Sequence, residues 1–309
     1  MPYNSLISRS NVAALIPEQV SQAMLTNLSA QSAALELGTV IPVSSAQIRF
    51  PVLSALPIAY FVNGDTGLKQ TTTAAWANKY LNIEEIATIV PIPEAVLDDA
   101  GFDVWGSVQP LMEAAIVRKL DAAVFFGTDA PASWPTNLVA GAVAAGNVVA
   151  RGTNAQASGG IYGDLSDLIG KLEMDGYMPN GAVGNVTLKG RLRQIRDTTG
   201  QQVQQDADLP AMTYALPGMW PSGLSAAELI AGDFTNLVLG VRQDMTYKLL
   251  TEAPITDNTN AIIYNLAQQD MVALRLVFRA GWQVSNPINF QEGTEASRFP
   301  FAVLRSPAV

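Results

Sequence analysis

The stretch IVPIPEAVLDDAGFDVWGSVQPLMEAAIVRKLDAAVFFG, residues 89–127, decides the fold. It begins with an apolar run typical of a strand, which is expected to stop at Pro91 and Pro93 because proline cannot donate to a ladder. Residues 94–99 predict a short helical turn, and Asp103 predicts the N-cap of a long helix. The stretch contains no obviously reactive side chain. We therefore expect it to be a structural element and not a chemical one.

The long predicted helix has one broad apolar face and one irregularity. Glu113 and Asp121 are expected to point away from that face. Pro110 cannot donate to the carbonyl of Gly106, and its ring crowds that turn. Either the helix bends around Gly106 to Pro110, which we favour, or Ser107 is the true cap and Pro110 lies in the first turn. The predicted apolar face consists of Val104, Val108, Leu111, Met112, Ala115 and Ile116.

The composition suggests a surface that other molecules cover. Only 15% of the 309 residues are charged, against roughly 25% in ordinary soluble domains, while 49% are hydrophobic. Copies of the same chain are the simplest cover, and an ordinary apolar-rich monomer is the alternative. The formal net charge of -9 argues against sequence-specific binding of nucleic acid, which needs a basic surface.

The chain contains no cysteine and no histidine, which excludes most familiar catalytic mechanisms. Thiolate nucleophiles, Ser-His-Asp relays and His or Cys metal ligands are all impossible. The carboxylate pairs Asp98 with Asp99 and Glu84 with Glu85 are sequence neighbours, so their side chains point to different sides. We expect no enzyme, no cofactor and no metal. A carboxylate-dependent hydrolase, with two carboxylates from separate elements, is a remoter alternative.

Residues 1–35 are predicted to form a polar arm with one helical pattern from Pro17 to Leu28. The N-terminus lacks the features of a secretion signal. The most apolar later run, residues 138–150, falls short of the ~20 residues that a membrane span needs. We expect no membrane contact and a cytoplasmic location.

Two strand-like segments, TVIPVSSAQIRFPVL at 39–53 and IAYFV at 58–62, lead into a strong tight-turn signal at Asn63-Gly64. A polar stretch and a second strand follow, so we predict a protruding antiparallel hairpin. The alternative is a plain surface hairpin packed on its own domain. Lys69, near the predicted tip, is the one position kept open for chemistry, since a lysine amine can attack a carboxamide of another subunit. Its simpler interpretation is a solvated or salt-bridged side chain.

The second half of the sequence predicts a mixed α/β lobe and two long strands. Residues 128–160 read as a loop of low regularity. A helix at 165–173, a strand at 182–188 and a basic helix at 189–197 follow. Strands are predicted within 236–250 and 270–284, the latter with one buried and one partly wet face. The basic group Lys189, Arg191, Arg193 and Arg196 is expected to form a solvated helix face.

The order of these parts resembles the tailed-bacteriophage major capsid protein family, which has the Hong Kong type phage capsid fold. The block at 89–127 is the most specific part, because a strand, an elbow, a long helix and a terminal glycine recur together in that family. The resemblance runs from about Leu15 to Phe290 and is weakest between 128 and 160. It is carried by LIPEQVSQAML, RFPVLSALPIAYFV with NGDTGLKQTTTAAW, KYLNIEEIATIVPIPEAVLDD, DVWGSVQPLMEAAIVRKLDAAVFFG and DMVALRLVFRAGWQVSNPINF.

The resemblance implies an α+β fold with seven parts. The long helix would be a rigid supporting element of the subunit, called the spine helix. A bend at Gly106 and Pro110 would suit a subunit that changes shape as a precursor shell expands. The implied parts are an N-terminal arm (1–35), a peripheral-domain strand (36–50), an extended β-hairpin loop (51–86), the peripheral domain with the spine helix (87–130), an axial domain (131–240), peripheral-domain strands (241–290) and a C-terminal segment returning to the axial domain (291–309).

The resemblance also implies a function and a set of partners. The chain would assemble into hexamers and pentamers of an icosahedral phage head around double-stranded DNA, forming in the host cytoplasm and ending in the virion. DNA would be held by non-specific proximity only. An encapsulin-like nanocompartment shell shares the fold and is the alternative. No long scaffolding region precedes the arm, so a separate scaffolding protein is implied, beside a portal and a decoration protein.

Some members of that family crosslink a loop lysine to an asparagine of a neighbouring subunit. Lys69 with Asn286 or Asn289 could be matched to those residues. The sequence around both asparagines is not distinctive, and a shared fold does not confer chemistry. We therefore expect denaturing gel electrophoresis of shells to show monomer, and an inter-subunit contact or crosslink is the alternative.

Overall fold

The computed structural model describes residues 32–62, 69, 71–100, 103–155, 159–195, 210–214, 220, 227–257 and 259–307. It is a mixture of helices and strands, so the predicted α+β class is confirmed. Within the described residues the helices are α1 Ala33–Leu37, α2 Glu94–Asp99, α3 Val104–Asp121, α4 Leu138–Ala144, α5 Ile161–Met174 and α6 Val186–Arg193, with a π-helical turn at Ala122–Phe126 and a 3-10 turn at Phe234–Asn236.

Thirteen strands lie in the described parts of the chain and form four sheets. A four-stranded sheet has the order β1-β9-β12-β4, a five-stranded sheet has the order β5-β13-β8-β6-β7, and β2-β3 and β10-β11 are two-stranded. The strands are β1 Thr39–Pro42, β2 Gln47–Ala55, β3 Ala75–Asn82, β4 Glu84–Pro93, β5 Val148–Ala150, β6 Gly181–Gly184, β7 Met212–Thr213, β8 Ala227–Gly232, β9 Leu237–Leu250, β10 Pro254–Thr256, β11 Ile262–Asn265, β12 Met271–Val284 and β13 Phe301–Arg305.

The described chain divides into two compact units. Among the described residues, the first unit consists of Glu85–Lys119 and Gln243–Ala280. It holds most of α3 and the β10-β11 hairpin, beneath which Leu266, Met271 and Ala273 form a small buried cluster. The start of α2 is attached by the Glu94 N–H, which donates to the carbonyl oxygen of Asp270 at 2.9 Å.

The second unit consists of Ser32–Glu84, Leu120–Arg242 and Gly281–Val309, and its core lies between the five-stranded sheet and its helices. In α5, Leu165, Leu168 and Leu172 are spaced at i, i+3 and i+7, which places them on one helix face. All three are fully or almost fully buried. They pack in one cluster with strand residues that include Leu229, Ala231, Ala302 and Leu304.

The prediction for residues 89–127 is confirmed in its local elements. Strand β4 ends at Pro93, helix α2 follows directly, and α3 begins at Val104. The N–H of Gly106 donates to the Asp103 side chain at 3.0 Å, so Asp103 caps the helix. The alternative in which Ser107 is the cap is therefore wrong, and Pro110 lies inside the helix.

The predicted faces of α3 are partly wrong. Leu111 and Ala115 are exposed, whereas Ala114, Val117 and Leu120 are buried together with Val108, Met112 and Ile116. Asp121 does not point to solvent but is completely buried. The helix is covered on more than one side, so a single-stripe pattern does not describe it.

Three other local predictions are corrected. The segment 58–62 contains no strand, and residues 128–160 contain α4 and β5. The strand predicted at 182–188 stops at Gly184, because Asn185 caps α6 by accepting the Thr187 N–H at 3.0 Å. The prediction for β12 is confirmed, because one face is buried throughout and the other carries the partly exposed Arg275, Arg279 and Gln283.

Candidate functional site

The candidate functional site is an apolar surface on the β2-β3 hairpin and the segment that follows β2. Phe61 is fully exposed, and Ile58 and Trp76 are exposed to 67% and 65%. Tyr60, Val62 and Tyr80 on the same part of the chain are also exposed. An isolated two-stranded hairpin has no sheet or helix of its own to cover such side chains. A surface of this kind is typical of a site that contacts another protein.

The hairpin has a regular register, which fixes which side chains share a face. Gln47 lies opposite Asn82 at the base, and Leu53 lies opposite Trp76 near the far end, where the register shifts. Val52 and Leu81 are buried. The alternation of a strand therefore gives β2 one covered or partly covered face, with Ile48, Phe50 and Val52, and one exposed face, with Gln47, Arg49 and Pro51.

A polar cluster holds the base of the hairpin. The Asn82 amide donates to the carbonyl oxygen of Ser133 at 2.7 Å and accepts from the Gln47 amide at 2.7 Å. The Ser133 hydroxyl donates to Glu84 at 2.5 Å. Gly281 on β12 lies so close that a Cβ there would be 2.1 Å from the Asn82 carbonyl oxygen. These contacts fix the direction in which the hairpin leaves its unit.

The hairpin is also attached along its length to residues near the C-terminus. The N–H of Ile288 donates to the carbonyl oxygen of Leu53 at 3.1 Å. Lys79 forms an ion pair with Glu295 at 2.8 Å. The hydrogen bond from Lys79 holds the pKa of Glu295 below its usual value. Sequence reasoning missed this attachment, because its partners are more than 200 residues apart.

The structure places the three residues considered for crosslinking in different settings. Lys69 is exposed and lies outside the strands. Asn286 is buried, with its carboxamide accepting from the Tyr177 hydroxyl at 2.7 Å. Asn289 donates to the carbonyl oxygen of Asp175 at 2.6 Å. Both asparagines thus hold the segment after β12 within their own chain, and the crosslink stays an untested alternative.

Gly106 and Pro110 both lie in the first half of α3. A Cβ on Gly106 would be 2.6 Å from a carboxylate oxygen of Asp103, so this glycine gives the capping side chain room. Pro110 leaves the carbonyl of Gly106 without its usual helical donor. A bend at this place stays a prediction.

Glu228 organises a buried ionic cluster that the sequence did not reveal. It accepts from Arg151 at 2.7 Å and from Arg191 at 2.5 Å, and the Ser306 hydroxyl donates to it at 3.0 Å. Burial would raise the pKa of Glu228, but these hydrogen bonds outweigh burial and lower it. The predicted solvated basic face is therefore partly wrong, since Arg191 is an ion-pair partner and Lys189 lies over the Tyr214 ring.

Asp121 is the second buried acidic group that sequence reasoning missed. Its carboxylate accepts from the Ser32 hydroxyl at 2.6 Å and from the backbone N–H groups of Ala33 and Ala34 at 3.0 and 3.3 Å. Burial raises its pKa to about 6, against the opposing effect of these hydrogen bonds.

Neither a metal centre nor a membrane helix is found in the described part of the chain. No group of three or more acidic residues there could hold a metal ion. No helix among those residues is long and apolar enough to cross a bilayer. What distinguishes the described chain is its exposed apolar hairpin and the polar contacts that orient it.

Comparison with known proteins gives one consistent family. Residues 12–294 match the Phage capsid family. The major capsid protein of Staphylococcus phage 80alpha is 24% identical over 279 residues, which cover 89% of this chain and 83% of that protein. A solved structure from Microbacterium phage Oxtober96 is 36% identical, covers 98% of this chain and 100% of its own, and has a TM-score of 0.81. One from Mycobacterium phage Cain is 31% identical, with coverages of 99% and 100% and a TM-score of 0.84. The chain belongs to the phage capsid family.

Proposed function

We propose that this chain is the major capsid protein of a tailed phage, and that it assembles with copies of itself into the shell of the phage head. The observation that carries the proposal is the exposed apolar surface of the β2-β3 hairpin, on a chain whose family forms capsids. Phe61, Trp76 and Ile58 have no cover within the described residues of their own chain. A neighbouring copy is the cover that a shell supplies.

The hairpin would contribute to assembly through burial of its apolar side chains. Fully burying one large apolar side chain contributes about 1.5–3 kcal/mol relative to leaving it in water. The hairpin of one copy would lie against a different surface of the next copy, which is a heterologous contact. Contacts of that kind close into rings when the rotation between copies allows it. Pentamers and hexamers are rings of this type.

The contacts at the hairpin base support this role because they orient the surface before binding. Asn82, Ser133 and Gln47 hold one end, while Lys79 and Glu295 hold a point farther along. A binding element that is already oriented loses less conformational freedom on association. The hairpin would therefore reach its neighbour in a defined direction.

We assign the parts of the chain as the resemblance implies. Residues 51–86 would be the extended loop, 87–130 would hold the spine helix, and 131–240 would be the axial domain at ring centres. Residues 1–35 would be the arm, and the strands within 36–50 and 241–290 would belong to the peripheral domain. The pairing of β13 with β5 and β8 supports a C-terminal segment that returns to the axial domain.

The spine helix would bend at Gly106 and Pro110 when the shell changes shape. The position of Pro110 inside α3 supports this, because the missing hydrogen bond to Gly106 weakens that turn. A comparison of precursor and mature shells tests it. A helix that is straight through Pro110 in the mature shell would contradict the role.

We infer the other partners of the shell from the family and from the net charge of the chain. A separate scaffolding protein, a portal and a decoration protein would act with the shell in the host cytoplasm. The net charge of -9 suits an inner surface along which packaged DNA moves without binding tightly. We expect uncrosslinked subunits. A ladder of covalent oligomers on a denaturing gel, abolished by Lys69→Arg, would instead establish the crosslink.

The two other functions considered gain no specific support. An encapsulin-like shell predicts particles that contain a protein cargo and no DNA. A carboxylate hydrolase needs two carboxylates facing one cleft, whereas Glu84 and Glu85 have separate partners, Ser133 and Arg279. Neither alternative has an observation in its favour.

Electron microscopy of the purified protein tests the proposed function. The wild-type chain is expected to form uniform closed particles, and the variant with Phe61→Ser and Trp76→Ser is expected to form few or none. Ile262→Ser is the matched control, because Ile262 is a large apolar residue on β11 that is 64% exposed and lies outside both the hairpin and the proposed axial domain. Dispersed wild-type monomers under all assembly conditions would contradict the function. Normal shells from the double variant would show that the hairpin surface does not drive assembly.

A further inference from the structure

Asp121 joins two elements that are far apart in the sequence. It is the last residue of α3, and its carboxylate is completely buried. Three donors from the start of α1 converge on it: the Ser32 hydroxyl and the N–H groups of Ala33 and Ala34. Ser32 itself caps α1 by accepting the Leu35 N–H at 3.1 Å. The contact therefore runs from the end of one helix through Asp121 to the first turn of another.

The setting of this carboxylate is unusual because its known partners are all uncharged. Two backbone amides and one hydroxyl satisfy it, and no cation of the described residues is among the groups that shift its pKa. Glu36 on α1 and Arg118 and Lys119 on the last turn of α3 are exposed to solvent. The π-helical turn after Asp121, AAVFF, contains no charge. A buried carboxylate without an ion-pair partner is costly to keep ionised.

We propose that Asp121 is a proton-dependent clasp that holds the start of α1 against the end of α3. Residues 1–31 are joined to the chain at Ser32, so the clasp fixes their point of attachment. If the proposed function is correct, the clasp sets how firmly the base of the N-terminal arm is held in the subunit. The clasp itself needs only the described contacts and does not depend on shell assembly.

The direction of the proton effect follows from the burial of the carboxyl group. Burial raises the pKa of Asp121 from 3.8 to about 6, so the closed clasp binds a proton more tightly than an open, hydrated carboxyl does. By linkage, protonation favours the closed state. Between pH 8 and pH 5 the closed state should gain about 10-fold over the open state. The clasp is thus looser at neutral and alkaline pH and tighter in mild acid.

Hydrogen exchange of the full chain, kept as unassembled subunits, tests the clasp. The protection of the amides of residues 33–37, after correction for intrinsic exchange, is expected to be about 10-fold higher at pH 5 than at pH 8. In Asp121→Asn the pH dependence should disappear, and the protection should be lower than that of wild type at pH 5, because the amide nitrogen cannot accept a donor that a carboxyl oxygen accepts. In Ser32→Ala the protection should fall at both pH values, with the pH dependence retained.

The matched control is Asp164→Asn. Asp164 is also completely buried and accepts the N–H groups of Gly152 and Asn154, and none of its described hydrogen bonds goes to α1. The Asp164→Asn substitution should leave the hydrogen exchange of residues 33–37 unchanged. Wild-type protection that does not vary with pH would overturn the clasp, as would full pH dependence in Asp121→Asn. If that variant does not fold, the wild-type pH series and Ser32→Ala decide the outcome.

The clasp and the proposed function fail in different ways. A chain that never forms closed particles, yet shows the pH-dependent protection, would contradict the shell function alone. Normal particles formed by a chain whose α1 protection is independent of pH would contradict the clasp alone.

Discussion

The carbonyl oxygen of Asn82 lies 2.1 Å from the position that a Cβ atom on Gly281 would take. Real Cβ atoms essentially never come within 3.0 Å of another heavy atom. Because the Asn82 atom belongs to the backbone, it cannot rotate away as a flexible side chain would. The base of the hairpin therefore packs against β12 only because residue 281 has no side chain.

Gly281→Ala should displace the hairpin base. We expect the free energy of unfolding to fall by about 1–3 kcal/mol, the usual cost of forcing extra atoms into a packed site. Thermal melts of unassembled subunits measure it. Gly170→Ala is the control, since a Cβ there meets nothing within 4 Å, and an alanine inside α5 should stabilise the helix by up to about 1 kcal/mol. Equal melting temperatures for the two variants would show that the close approach of Gly281 to Asn82 does not affect stability.

Pro110→Ala should stabilise α3. Alanine restores an N–H that can donate to the carbonyl of Gly106, and we expect a gain of about 1–3 kcal/mol in the free energy of unfolding. Chemical denaturation of unassembled subunits measures the gain. Gly106→Ala is the opposite test, because its Cβ would meet the capping carboxylate of Asp103 and should cost about 1 kcal/mol. If Pro110→Ala brings no gain, the helix already accommodates the proline without loss.

Glu228→Gln should destabilise the second unit at neutral pH. The variant leaves Arg151 and Arg191 without their carboxylate, but their side chains are 22% and 40% exposed and water can partly replace it. We therefore expect a loss of about 1.5–3 kcal/mol, as for hydrogen bonds to charged groups. The folded pKa of Glu228 is lowered from the model-peptide value of 4.5. Its contribution is therefore complete above pH 4.5 and is lost as the pH falls through the lower folded pKa.

Denaturation of wild type and Glu228→Gln at a series of pH values tests this expectation. The difference between them should be largest at pH 7 and should shrink as the pH falls below 4.5. Exposed Glu173 supplies the control, and Glu173→Gln should change stability by less than about 0.5 kcal/mol. A constant difference at all pH values would mean that the charge of Glu228 is not what stabilises the cluster.

The ion pair between Lys79 and Glu295 should contribute little to subunit stability. Its side chains are exposed to 21% and 62%, and such pairs contribute about 0–1 kcal/mol. Lys79→Glu should weaken assembly at low salt, because like charges would push the hairpin from the tail segment. Adding Glu295→Lys should restore assembly, and raised salt should reduce both effects. Light scattering follows the yield of particles, and failure of the reversed pair to recover would argue against the proposed electrostatic attachment.

The sequence predicted those parts of the fold that depend on local signals. Pro93 stops β4, and Asp103 caps α3, because both effects act within one turn of backbone. The long strands β9 and β12 were predictable from their branched and apolar residues. Local signals also misled at Val186, where a strand-like side chain starts a helix because Asn185 supplies a cap.

The candidate site was only partly predictable. The hairpin and its apolar residues followed from sequence, but IAYFV at 58–62 is not a strand, since branched and aromatic residues express their β-preference only beside a partner. The contacts at the base could not be foreseen. Asn82 meets Ser133 and Gly281, which lie far along the chain, and no periodicity marks such partners.

By itself the sequence determined the strand, short helix and long helix of residues 89–127, the long strands β9 and β12, the low charge of the chain and the family to which it belongs. Only the tertiary structure decided which distant groups meet. It put β13 between β5 and β8, and it buried Asp121 against Ser32, 89 residues away. The physical reason is range: caps, prolines and side-chain periodicity act over a few residues, whereas burial and hydrogen-bond partners depend on where the whole chain has packed.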